Sequence, residues 1–122
     1  MKYAVLDTNF ILSCVRKKID FFNEIKLMGF KVIIPLQVIE ELKNISEKGN
    51  IKLKNEIKLS LEILKKNSFG SIDLHTKNVD NGLVNLAKKE KNYTIATLDR
   101  EVKNKIKNQK IVIRGEKKLE II

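Results

Sequence analysis

The sequence predicts an α/β protein, a three-layer α/β/α arrangement around a central parallel sheet of four to five strands. Three observations carry that expectation. Short runs rich in Val, Ile and Leu alternate with longer segments whose apolar residues recur at helical spacing. Strands separated by helices need crossover connections, which make neighbouring strands parallel and cover the sheet on both faces. Two of the strands run into an aspartate, and ligands of open parallel sheets bind outside the carboxyl ends of the strands.

Taken in order, Lys2–Leu6 reads as a short buried strand ending at Asp7. From Phe10 to about Phe30 the apolar residues, from Phe10, Ile11 and Cys14 to Phe22, Ile25 and Met28, keep a helical period that Gly29 stops. Lys31–Ile34 is a second buried strand, closed by Pro35. Helix resumes at Val38, with Val38, Ile39, Leu42 and Ile45 on one face, and ends near Gly49. A longer amphipathic helix covers about Ile51–Lys66, Ser68–Gly70 is a turn and Ser71–Leu74 a third strand. Leu83, Leu86 and Ala87 mark another helix; Asn81-Gly82 is also a hairpin dipeptide, but the apolar spacing after it favours the helix. Tyr93–Thr97 is a strand ending just before Asp99, Glu101–Lys107 a lysine-rich helix, and Lys110–Ile113 the last strand. There is no internal repeat, low-complexity segment or linker, and 1–122 reads as a single domain.

Composition narrows the class of function. An apolar fraction of 43% supports a packed core and argues against disorder. Cys14 is the only cysteine, which excludes an intramolecular disulfide and a cysteine zinc site. The apolar start is too short for a signal peptide, and no stretch approaches the roughly 18 apolar residues of a membrane span. A cytoplasmic protein with no membrane partner is expected. The net charge of +10 favours polyanions, the other reading being a solvated lysine-rich surface. Only three of the 25 basic residues are Arg, which suits sequence-tolerant backbone binding rather than reading of base edges. An aromatic fraction of 6% argues against a base-stacking platform.

The acids carry the chemistry. Asp7 and Asp99 follow equivalent strands, and in a parallel sheet both carboxylates emerge on one edge. Like charges held close are unfavourable without a cation, and a hard divalent ion with oxygen ligands relieves them. Each acid also has a plainer reading, as the cap of the helix starting near Asn9 or near Arg100. Glu40 and Glu41 lie early in a helix and point about 100° apart, so only one can face that edge, and periodicity does not choose between them. Asp80 begins the helix before the fourth strand.

Over essentially its whole length the chain resembles the PIN-domain family. The matching pieces are Leu-Asp-Thr-Asn at 6–9, Pro-x-x-Val-x-Glu-Glu-Leu at 35–42, Val-Asp-x-x-Leu at 79–83 and Ile-Ala-Thr-Leu-Asp-Arg-Glu-Val-Lys at 95–103. The last piece, with the basic run after it, looks most like the rRNA-processing branch and its archaeal relatives, and less like the toxin nucleases of toxin–antitoxin pairs. The resemblance implies four acids, Asp7, Glu41, Asp80 and Asp99, supported by Asn9 and Thr97. It selects Glu41 because the family's second acid directly precedes Leu. It also implies Mg²⁺ or Mn²⁺ as cofactor and RNA, in single-stranded segments, as substrate. Many relatives have Ala or Asp and then an apolar residue where this chain has Asn81-Gly82.

The mechanism expected from such a site is hydrolysis, with the ion activating water and stabilising charge on the phosphodiester. Arg100, Lys103, Lys105, Lys107 and Lys110 follow Asp99 and are the expected RNA contacts. His75 is outside the acidic set and is left unassigned. Two other functions fit parts of the sequence. A non-catalytic RNA-binding or ribosome-assembly module would keep the basic surface but not need the acids. A toxin nuclease would share the site and add an antitoxin to the partners, which otherwise are RNA and a second copy in a homodimer.

Overall fold

The computed structural model describes residues 1–122, apart from the side chains of Ser46 and Glu47. Six strands, β1 (Lys2–Leu6), β2 (Phe30–Pro35), β3 (Gly70–Ile72), β4 (Thr94–Ala96), β5 (Lys110–Arg114) and β6 (Lys118–Ile121), form one sheet in the order β3-β2-β1-β4-β5-β6. All pairs are parallel except β5 with β6. The helices are α1 (Thr8–Arg16), α2 (Phe21–Leu27), α3 (Leu36–Lys48), α4 (Ile51–Lys66), α5 (Val79–Lys89) and α6 (Arg100–Lys105).

Strand order reverses at β1. From β1 the chain steps outward to β2 and β3, then crosses back to β4 and continues to β5. Right-handed crossovers therefore put α1–α4 on one face and α5 and α6 on the other. Packing agrees, since α1, α3 and α4 touch one another and α5 packs on α6. β1, β2 and β4 lie inside the sheet and are buried on both faces, which is why they read as continuous apolar runs. Phe10, Ile11, Ile34, Leu42, Ile57, Leu83, Ile95 and Ile111 are fully buried in the core between the layers. No helix among the described residues is long and apolar enough to cross a membrane.

Two details differ from the sequence expectation. The helical period over Phe10–Phe30 belongs to two helices, because α1 ends in a Schellman turn. Lys18 adopts φ +59° there, with the Ile19 N–H donating to Cys14 O (2.9 Å) and the Lys18 N–H to Val15 O (3.1 Å). Asp20 then caps α2 through the Asn23 N–H (3.3 Å). The residue in the left-handed conformation is a lysine, so the usual glycine signal is missing. Gly29, at φ +93°, supplies that signal at the end of α2.

The second difference is β6, an added antiparallel edge strand that raises the count to six. It pairs with β5 around Gly115 (φ +64°), and its Leu119 is buried. Asn81-Gly82 is helical, as the apolar spacing after it favoured, and no hairpin: Gly82 sits inside α5, behind the Asn78 cap. A Cβ there would lie 2.8 Å from Leu74 Cβ, so only glycine lets α5 close on the loop leading into it.

Candidate active site

The reversal of strand order sets β1 and β4 side by side, and such a switch point opens a crevice at the carboxyl ends of the strands. Asp7 leaves β1 there. Its backbone N–H still pairs with Ala96 O of β4 (3.0 Å), which fixes the residue in the ladder. Its side chain is buried, one oxygen accepting the Thr8 N–H (2.7 Å) and the other the Thr97 hydroxyl (2.9 Å). The Thr97 oxygen in turn accepts the Asp99 N–H (3.1 Å). One buried threonine thus ties the acid after β1 to the acid after β4.

Asp99 caps α6, accepting the N–H groups of Glu101 (2.8 Å) and Val102 (3.2 Å) through one carboxylate oxygen. The cap and the site are compatible, because a carboxylate has a second oxygen. Asp80 comes from the first turn of α5, and its carboxyl is within hydrogen-bonding reach of Asp99. Shielding from water, then the negative charges of Asp99, Glu41 and Glu101, raise its pKa, even though the residue as a whole is exposed. Glu41, half-buried on α3, adds its field to both Asp7 and Asp80, whereas Glu40 beside it is exposed. Burial is the main cause that pushes the Asp7 carboxyl up to about 6, against the opposing hydrogen bonds from Thr97 and Thr8, with Asp80 and Glu41 adding to the rise.

Asp7, Glu41, Asp80 and Asp99 therefore meet at one edge, with Thr97 between two of them. Asn9 lies exposed in the first turn of α1 on the same edge. The basic stretch is only partly there. Arg100 and Lys103 stay within the first turn of α6, but a helix joining parallel strands must return to the amino edge. Lys105 and Lys107 follow it down, and Lys110 pairs beside Ile95, two strand positions below Asp7. His75 is exposed, with φ +58°, its N–H donating to Asp73 Oδ1 (2.8 Å).

Two positions escaped the sequence reading. Glu101 adds a further negative charge beside Asp80; its spacing two residues after Asp99 was the available signal. Gln37 lies one turn before Glu41 on α3 and clamps the loop after β3. Its Nε2 donates to Asp73 Oδ1 (2.7 Å) and its Oε1 accepts the Leu74 N–H (3.0 Å). Leu74 then packs on Gly82, so Gln37 links the helix of Glu41 to that of Asp80.

The donor set suits a hard divalent cation: it consists of oxygens alone, in a surround that disfavours uncompensated carboxylate charge. The Thr8 hydroxyl next to Asp7 is buried and, among the described residues, lacks a hydrogen-bond partner. No three acidic, His or Cys groups among the described residues stand close enough to hold an ion by themselves.

Comparison with known proteins gives a consistent picture. The family described as "PIN like domain" matches residues 4–116. Ribonuclease VapC4 of Methanocaldococcus jannaschii is 30% identical over 127 aligned positions, covering 99% of this chain and 97% of that protein. The PIN domain endonuclease Utp24 superposes with a TM-score of 0.78 at 23% identity, over 98% of this chain and 90% of that one. VapBC2 from Rickettsia felis, solved with a DNA fragment from its promoter, superposes with a TM-score of 0.56 at 17% identity, over 88% of this chain and 98% of that one.

Proposed function

This chain belongs to the PIN-like domain family, and on that footing we propose that it is a divalent-metal-dependent ribonuclease. The observation that carries the reading is the convergence of Asp7, Glu41, Asp80 and Asp99 at the switch point of the sheet, with Thr97 bridging Asp7 and Asp99. The name of the 30% identical relative, a ribonuclease, supports RNA as substrate.

In this proposal Asp7 and Asp99 would hold Mg²⁺ or Mn²⁺, with Glu41 and Asp80 completing the acidic cluster around it. When bound, such an ion lowers the pKa of water and offsets charge on the attacked phosphodiester. The chain's own groups prepare the place. Thr97 aims Asp7 and fixes the start of the Asp99 turn, while the Asp99 cap on α6 keeps that carboxylate from swinging away. Gln37 holds the loop that delivers Asp80. Asn9, exposed in the first turn of α1, is a neutral donor for phosphate or ribose, and Arg100 and Lys103 of α6 are cations offered to the RNA backbone.

Processing of rRNA in the cytoplasm is the role favoured by the segment 95–103 and the basic run after it. The likeness to Ribonuclease VapC4 favours a second reading, a toxin ribonuclease restrained by an antitoxin, and a small adjacent reading frame would distinguish the two. The experiment for the activity itself is titration of Mg²⁺ and Mn²⁺ with a pool of RNAs, comparing the native protein with Asp99→Asn. Ion-dependent cleavage by the native protein alone is expected. Equal cleavage by both would remove Asp99 from the site.

A further inference from the structure

The amino edge of the sheet, opposite the acids, carries two hollows of about 380 and 680 Å³. Phe30 at the start of β2 lines both, so the two hollows flank this residue along the amino ends of the strands and together form a trough. Lys2 and Lys91 line the first hollow; Lys26, Lys31 and Lys66 line the second. All five are exposed, and among the described residues none is in an ion pair with a carboxylate. The only acid in the lining, Asp20, already caps α2. Phe30 is buried beneath the rim, with the Lys2 ammonium 5.7 Å from its ring centre.

We propose that this trough binds the RNA backbone outside the cleavage site. The choice of RNA over other polyanions rests on the ribonuclease reading; the anion-binding character rests on the trough itself. Five unpaired ammonium groups spread over the two hollows match a repeating anion better than a single phosphate. No Arg lines either hollow, which suits sequence-tolerant contact by point charges. The need for such a surface follows from the opposite edge, where clustered carboxylates repel phosphate until a cation is bound. Cations away from that edge then add affinity that Arg100 and Lys103 alone do not supply, and α6 with its following loop carries Lys105, Lys107 and Lys110 toward this same amino edge.

The test compares two triple variants in chelator: Lys26→Gln/Lys31→Gln/Lys66→Gln in the trough, and Lys52→Gln/Lys54→Gln/Lys58→Gln on α4 away from it. Both remove the same net charge from exposed positions. Affinity for a long single-stranded RNA is measured against salt. The trough variant should flatten the log–log slope by roughly 2, at about 0.7 per lost contact, and the α4 variant should leave it near native. With Mn²⁺, cleavage of an oligonucleotide too short to reach the trough should be the same in the native and trough proteins. Equal slopes for the two variants would overturn the proposal. So would a trough variant that loses binding to anionic lipid vesicles while its RNA slope stays native. If the native protein cuts no RNA but the trough slope still changes, the ribonuclease reading fails and the trough stands.

Discussion

Thr97 holds two acids with a single hydroxyl, donating to Asp7 and accepting from the Asp99 backbone. This sharing lets Asp7 be buried without being left unsatisfied, yet burial still dominates and its pKa rises to about 6. The consequence for stability has a definite sign. Below about pH 4 Asp7 is protonated in both folded and unfolded chains and contributes nothing. Between there and about pH 6 the unfolded chain ionises while the folded one keeps its proton, so the fold loses stability as pH rises. Above pH 6 the loss is complete, about 3 kcal/mol at 1.36 kcal/mol per pH unit. Asp7→Asn should therefore raise the melting temperature of metal-free protein at pH 7 and leave it unchanged at pH 4. Millimolar Mn²⁺ should stabilise the native protein, with a gain that grows as the logarithm of ion concentration, and stabilise the variant less. A native melting temperature indifferent to Mn²⁺, with no gain from Asp7→Asn in chelator, would remove the metal site. Asp99→Asn separates chemistry from folding, since Asn still caps α6. Cleavage should fall at least about 100-fold, on the order of 3 kcal/mol in barrier, with an unchanged circular dichroism spectrum.

The site depends on how α3 and α5 are registered. Gln37 reaches from the first turn of α3 to the loop after β3, and that loop rests on Gly82 of α5. Helix propensity alone predicts that Gly82→Ala would stabilise α5 by about 1 kcal/mol. Packing predicts the reverse, because the new methyl would meet Leu74 Cβ at 2.8 Å and Thr76 Cγ2 at 3.0 Å, and the first of these atoms sits close to the backbone. Overpacking of this kind costs about 1–3 kcal/mol, so the variant should unfold at lower denaturant concentration than the native protein. A midpoint at or above native would mean that the loop is free to move off α5. At the other edge of the sheet, β6 covers β5 and buries Leu119. Leu119→Ala should destabilise by about 2–3 kcal/mol in urea unfolding, at the low end of the core range because an edge strand collapses more easily.

The whole molecule is electrically polar. Asp7, Glu41, Asp80 and Asp99 collect at the carboxyl edge of the sheet, while five lysines line the hollows at the amino edge of a chain with net charge +10. RNA binding and RNA cleavage should then respond oppositely to the same change. In chelator, binding of single-stranded RNA should weaken steeply with salt, as expected when several counterions are released. Asp99→Asn removes a repelling charge, so it should bind RNA at least as tightly as the native protein under those conditions while losing cleavage in Mn²⁺. Filter binding and cleavage on one preparation measure both. A variant that lost affinity along with cleavage would place the phosphate contact on Asp99 itself, against this charge arrangement.

Sequence alone determined the α/β class, β1 and α4 to the residue, and the two aspartates that follow the first and fourth strands. Apolar period and burial on both faces are written locally, and a residue following a buried strand must emerge at an edge. The split of α1 from α2 was not legible, because Lys18 takes the conformation that glycine usually marks. β6 left a fainter trace, Gly115 followed by alternating Leu119 and Ile121, outweighed by the lysines between them. The choice of Glu41 over Glu40 came from family resemblance; in the structure the half-buried orientation of α3 distinguishes them. Tertiary structure decided what lies opposite what. The reversal of strand order at β1 set Asp7 beside Asp99, the Gln37 clamp and Gly82 brought Asp80 to meet them, and the return of the chain through α6 carried Lys105, Lys107 and Lys110 toward the far edge. Those outcomes depend on contacts between residues dozens of positions apart, such as Thr97 with Asp7, and no local period encodes such a contact.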